Sequence, residues 1–181
     1  MQVYKFGGAS VKDAQAVKNV ISILKENPFK EKVVVISAMG KTTNDLEKVI
    51  NEYYAHNTEW KNSIETVYTK HLAIISELFE NQPNTCDVAV RKIIDKTIDF
   101  LAQNHSRNYN FIYDQVVSIG EYISTTIVSE FANHQSVTNT LVDAKHCIFT
   151  DNAYTEGKID WKKTEKAIST VVPPLFKTGF V

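Results

Sequence analysis

A chain of 181 residues with 43 % apolar residues is long enough to bury one substantial core and short for two. Twenty basic against 21 acidic residues leave a formal charge of −1, so charge gives no reason to expect nucleic acid or an anionic membrane as partner. No run approaches the roughly 20 apolar residues that span a bilayer, and Met1–Lys5 opens without the apolar stretch of a signal peptide.

Cys86 and Cys147 stand far apart, outside any CxxC pair, and read as reduced structural thiols of a cytosolic protein. None of His56, His71, His105, His134 and His146 pairs with another ligand type at zinc-like spacing, so no protein-held metal is expected.

In chain order, Val3–Phe6 reads as a short buried strand stopped by Gly7-Gly8. Val11, Ala14, Val17, Ile21 and Leu24 then give one apolar helix face. Ser10 with Asp13 is its expected capping pair, and Pro28 its expected end. The β-branched run Lys32–Ile36 has the pattern of a strand covered on both faces. Strand, helix and strand within 40 residues form a βαβ unit and imply a parallel sheet.

Four helical stretches follow. The first runs from Thr42–Asp45 through Leu46, Val49, Ile50 and Tyr53. The second carries Ile64, Val67, His71, Leu72, Ile75 and Phe79. The third carries Val90, Ile93, Ile94, Ile98 and Leu101, and the fourth Val116, Ile119, Ile123, Ile127 and Phe131. So many consecutive helices predict a helical elaboration on one side of the sheet. Val137–Val142 and Cys147–Phe149 read as further strands, and Asp160 as the cap of a last helix ended by Pro173-Pro174. Gly179-Phe180-Val181 reads as the opening of another strand, and its abrupt stop has the pattern of a truncation.

Three segments carry candidate chemistry. Lys5-Phe6-Gly7-Gly8-Ala9-Ser10 joins a strand end, a glycine pair and a helix start, a combination that can cradle a polyphosphate beside a full positive charge. It is neither a Walker A loop nor GxGxxG, and an ordinary βα turn with Ser10 as cap describes it equally well. Ser37-Ala38-Met39-Gly40-Lys41-Thr42-Thr43-Asn44 is a second strand-to-helix passage, with Thr42, Thr43 or Asn44 serving as cap. In a parallel sheet both passages face one crevice at the carboxyl ends of the strands. In Ser118-Ile119-Gly120-Glu121, helical spacing sets Glu121 off the apolar stripe, where a solvated glutamate is the plain expectation.

Taken together, these segments resemble a known family. Lys5–Val11 resembles the KFGGTSV opening of aspartate kinases, and Val35–Asn44 their SAMxxxTN signature. Ser118–Ser124 resembles their SxGExxS helix, Asp143-Ala144-Lys145 with Thr150-Asp151 and Tyr154 their DAR…TD…Y stretch, and Thr178–Val181 their TGFI. Each motif alone is weak, but five in order across the chain are specific.

The resemblance implies an α/β fold, a three-layer αβα sandwich of the amino-acid kinase type, with a mainly parallel sheet and extra helices on the substrate side. It implies transfer of the γ-phosphoryl of ATP, with Mg2+ bound through the nucleotide, to the β-carboxylate of L-aspartate, the first step toward lysine, threonine and methionine. Lys5 would be catalytic and would bind the phosphates with Gly7, Gly8, Ala9 and Ser10. Ser37, Thr43 and Glu121 would bind aspartate. Ala9 stands where the family has threonine, which removes a hydroxyl and keeps the amide.

Residues 1–181 would then be the substrate-side portion of a catalytic domain in a cytoplasmic protein that forms a homo-oligomer at full length. The GRGGSD segment, the adenine site and the regulatory ACT domains are absent, so this portion alone is expected to be inactive. The rival expectations are a kinase for glutamate or acetylglutamate and a naturally short, non-catalytic binding protein on the same lobe.

Overall fold

The computed structural model describes residues 1–27 and 31–181; the expected helix end at Pro28 lies outside the described residues. Strand β1 (Gln2–Phe6) and strand β2 (Lys32–Ile36) pair in parallel, with Tyr4 opposite Val34 and Phe6 opposite Ile36. The helix between them, α1 (Ala14–Glu26), completes the βαβ unit. Its buried stripe of Ala14, Val17, Val20, Ile21 and Leu24 is the period expected of a helix lying on a sheet.

The sheet continues beyond β2 through short segments. Val181 donates to the Lys32 carbonyl and its own carbonyl accepts from Val34, so residue 181 lies beside β2. Phe180 in turn makes a parallel bridge with Asn139. The order is therefore β1, β2, residues 180–181, then residues 138–140. Of the expected strand over Val137–Val142, this one rung is formed, flanked by the Thr140 amide on the Phe180 carbonyl and the Phe180 amide on the Thr138 carbonyl. Gly179 makes the approach with φ +140°; a side chain there would collide with the Thr138 carbonyl.

Tyr4, Phe6, Val34 and Ile36 turn one sheet face onto the core. Val3 (62 % exposed) and Val35 (47 % exposed) turn the other face outward. β2 is thus covered on one face within this chain, where its apolar run suggested two. Alternation along a strand sets which residues face which way, but not whether anything covers them.

Most of the core is helical. α2 (Thr42–Tyr54), α3 (Trp60–Leu78), α4 (Cys86–Gln103), α5 (Tyr109–Val117) and α6 (Ile119–His134) bury Leu46, Ile50, Ile64, Ile75, Ile94, Leu101, Ile112, Ile123 and Ile127 against one another. The expected fourth helix is two: α5 and α6 meet at Ser118, whose backbone stays helical (φ −61°, ψ −18°), so the apolar stripe crosses the junction.

Cys147–Phe149 forms no strand. Asp143 accepts the Lys145 amide at 2.9 Å and winds a 3-10 turn over Ala144–His146, and only Thr150 bridges antiparallel to Ile159. A local side-chain bond outcompetes the ladder there. Asp160 caps α7 (Trp161–Val171) as expected, by accepting the Lys163 amide at 3.0 Å. No helix among the described residues is long and apolar enough to cross a membrane.

Both cysteines are free and buried, and burial pushes the Cys86 thiol up to about 12, with the Glu130 and Asp87 charges adding to it. That is the behaviour of an inert packing thiol.

Candidate functional site

The two strand ends and the start of α6 converge. After β1, residues Gly8–Val11 wind a 3-10 turn before α1 begins. Ser10 lies inside that turn, its amide bonded to the Gly7 carbonyl at 2.8 Å. Asp13, not Ser10, caps α1, by accepting the Ala16 amide at 2.8 Å. The amides of Gly8 and Ala9 open the turn and have no carbonyl before them within it to bond.

The turn after β2 is stitched to this one. Ser37 donates to the Phe6 carbonyl and Gly40 to the Gly8 carbonyl, each at 3.0 Å. Gly8 has no room for a side chain, since a Cβ would stand 2.6 Å from the Ala38 carbonyl oxygen. Gly40 sits at φ +54°, the left-handed region that glycine enters without cost. None of Thr42, Thr43 or Asn44 caps α2. Lys41 occupies the cap position without a side-chain bond, and the Thr42 hydroxyl instead donates to the Met39 carbonyl at 2.6 Å.

From α6, Gly120 lets the helix press onto the same turn; a Cβ there would lie 2.9 Å from Ala38 Cβ and 3.3 Å from Thr42 Cγ2. This close approach delivers Glu121 to the crevice, where its Oε1 accepts the Ala38 amide at 3.2 Å. Helical spacing leaves Glu121 exposed, as expected, yet its carboxylate is anchored across 83 residues of sequence.

The Lys5 ammonium folds back over Gly7, 3.5 Å from where a Cβ would be, and no carboxylate among the described residues pairs with it. The hydroxyls of Ser10, Ser37 and Thr43 likewise have no hydrogen-bond partner among those residues. The structure therefore joins the turn of Gly7, Gly8, Ala9 and Ser10, over which Lys5 folds, to the Ser37–Gly40 turn and through Ala38 to Glu121, with Thr43 following in the first turn of α2. It offers an unpaired cation, open backbone donors, free hydroxyls and one held carboxylate. That set suits a ligand carrying both anionic groups and an ammonium group.

The model of one family, described as the amino acid kinase family, matches residues 1–178. The chain belongs to the amino acid kinase family.

Among curated members, aspartokinase 1, chloroplastic, of Arabidopsis thaliana is 29 % identical over 162 residues, covering 87 % of this chain and 28 % of the relative. Aspartokinase 2, chloroplastic, of the same plant is 32 % identical over 137 residues, covering 72 % and 24 %. Among solved structures, Escherichia coli aspartokinase III in complex with aspartate and ADP superposes with TM-score 0.82 at 20 % identity, covering 99 % of this chain and 39 % of that one. Clostridium acetobutylicum aspartate kinase superposes with TM-score 0.76 at 22 % identity, covering 99 % and 38 %. The fold is the α/β fold of amino acid kinases. This chain spans about a quarter of the curated aspartokinases and two fifths of the solved ones.

The segments around Asp143 and Asp151 make contacts of their own. Tyr122, beside Glu121, donates to Asp143 Oδ1 at 2.9 Å, and the Lys145 ammonium lies 5.0 Å from the centre of the Tyr122 ring. Burial pushes the Asp143 carboxyl up, but the Lys145 amide and the Tyr122 hydroxyl outweigh it and leave the carboxyl below its ordinary range. Asp151 Oδ1 accepts the Ala153 and Lys158 amides, and Tyr154 packs edge-on against Phe111. These are structural roles. The Ala38–Glu121 bond and the Tyr122–Asp143 clamp lay beyond sequence spacing, since each joins segments that only the tertiary fold brings together.

Proposed function

We propose that the protein of which these residues are part is an aspartate kinase. It would transfer the γ-phosphoryl of ATP to the β-carboxylate of L-aspartate. The observation that carries this reading is the convergence of three chain-distant segments on one crevice, with Lys5 unpaired and Glu121 anchored on the Ala38 amide.

The chemistry asked of such a site is electrostatic. A carboxylate of pKa about 4 is already ionised at neutral pH, so its attack needs no general base. The difficulty is to hold two anions together and to neutralise the transferring group. Lys5 would take the phosphates, with the amides of Gly7, Gly8 and Ala9 and the hydroxyl of Ser10 as further donors, the Ser10 amide being held by the Gly7 carbonyl. Glu121 would hold the ammonium of aspartate, while Thr43 and Ser37 would bond its carboxylates. The bound nucleotide supplies the phosphoryl group and brings Mg2+ on its own phosphates.

On this reading the 181 residues form the substrate-side portion of the catalytic domain, and catalysis needs groups from outside it. Homo-oligomer formation belongs to the longer protein. The two unpaired buried thiols support a reducing compartment, for which the cytoplasm is our reading.

Titration of the 15N-labelled chain with L-aspartate tests the substrate site. The amides of Ala38, Thr43 and Glu121 are expected to shift, and Glu121→Gln to abolish the response. An equal response to L-glutamate or N-acetylglutamate would sink the assignment of substrate. Aspartate-dependent ADP formation by the full-length protein then separates an enzyme from a binding protein.

A further inference from the structure

His71 is a histidine that helical spacing assigns simply to the apolar face of α3, and it is 2 % exposed. Its ring joins a chain of polar atoms that ends at the crevice. Nδ1 lies 2.7 Å from the Val67 carbonyl, which can only accept, so Nδ1 carries a hydrogen. Nε2 lies 3.2 Å from the Thr42 hydroxyl oxygen, and that same hydroxyl lies 2.6 Å from the Met39 carbonyl.

Thr42 has one hydroxyl proton and two acceptors within reach whenever the ring is neutral. If the proton goes to Met39, two lone pairs face each other across a buried contact that water cannot enter. If it goes to Nε2, the side-chain closure of the 39–42 turn opens and only the Thr42 amide still holds Met39, at 3.0 Å. A protonated ring removes the conflict, because Nε2–H donates to Thr42 and Thr42 donates to Met39. The cost is a charge in an apolar core.

We propose that His71 is the positioning residue of the 39–43 turn, setting the place of Thr43 through the Thr42 hydroxyl. His71 touches neither Lys5 nor Glu121; it works only through Thr42. The charges that reach the ring are Asp45 from α2, which favours the cation, and Lys70 from α3, which opposes it. These two are ion-paired at 2.7 Å, so their effects oppose each other. From α6 the neighbour pressed against Thr42 is Gly120, which brings no charge. The ring's protonation is therefore governed by burial and by its two hydrogen-bond partners.

The inference rests on the proposed function only for why Thr43 matters. Its test uses neither aspartate nor nucleotide, so either can fail without the other. In the chain labelled with 15N, two-bond proton–nitrogen spectra of the ring should show the neutral Nδ1–H tautomer at pH 7.5. On acidification the Gly40 and Thr43 amides should shift with the same midpoint as the His71 ring. In Thr42→Val the ring should still titrate while the turn no longer follows, and Thr42→Ser should restore the coupling. An Nε2–H tautomer in the unsubstituted chain, turn amides that ignore the ring, or undiminished coupling in Thr42→Val would each overturn the proposal. The first two readings need no variant to fold.

Discussion

At the scale of single residues, the crevice depends on one charge and two absent side chains. Lys5 has no carboxylate partner among the described residues, so its charge is available to neutralise an incoming anion instead of being spent within the fold. Under the proposed function, Lys5→Ala in the full-length protein should lower kcat by at least ~100-fold, the scale of losing one transition-state stabiliser. Near-normal turnover in a steady-state assay would remove Lys5 from the mechanism. Gly120 poses a sharper question of sign. Alanine in place of glycine within a helix gains about 1 kcal/mol of propensity. Here the new methyl would stand 2.9 Å from Ala38 Cβ and crowd Thr42 and Leu46, and overpacking costs about 1–3 kcal/mol. The clash outweighs the gain, so Gly120→Ala should lower the urea midpoint and weaken the Glu121–Ala38 contact. A stabilised variant would show that α6 can retreat from the turn at little cost.

At the scale of elements, caps and breaks separate what spacing reveals from what packing decides. The apolar stripes of α1 to α4 follow directly from residue period, because burial of one face is what makes a helix stable here. Cap identity does not follow so directly. Ser10 and Asp13 are both competent caps, and the 3-10 turn over Gly8–Val11 delays the helix by one turn and hands the role to Asp13. None of the three candidate caps of α2 serves: Thr42 is drawn inward to Met39 and His71, and Thr43 and Asn44 lie inside the helix, past the cap position held by Lys41. The crevice was legible as two strand-to-helix passages facing one way. Helical spacing did not disclose its closure by Glu121, whose exposed position gives no hint of an acceptor role; only the family resemblance singled that residue out. Substitution can test the corrected cap: Asp13→Ala should cost about 1 kcal/mol by urea denaturation, and Ser10→Ala only a few tenths. Equal losses at both positions would return the cap to Ser10.

At the scale of the whole molecule, the stable unit is the helical layer and the sheet is its rim. His71 is buried in α3, bonded to Val67 of its own helix and to Thr42 of α2, while the sheet leaves Val3 and Val35 on an outer face. Acid should therefore act through the helical layer before it acts on the carboxylates. Burial lowers the His71 pKa, outweighing the raising effects of the Val67 carbonyl and Asp45, with Lys70 adding to the fall. The unfolded chain takes up this proton near pH 6.5, and the folded chain only at lower pH. Between those two values the unfolded state holds more protons, so unfolding free energy decreases as pH falls, by at most about 1.4 kcal/mol per unit. Above pH 6.5 both states are neutral at this site and its contribution is complete. Asp143, held below its ordinary range, acts in a separate window that opens only below about pH 4. Urea denaturation from pH 7.5 to 5.5 should thus show little change down to about pH 6.5 and below it a loss that His71→Gln flattens. If the slope persists unchanged in His71→Gln, acid enters the fold at another residue, and the buried imidazole is no weak point of the helical layer.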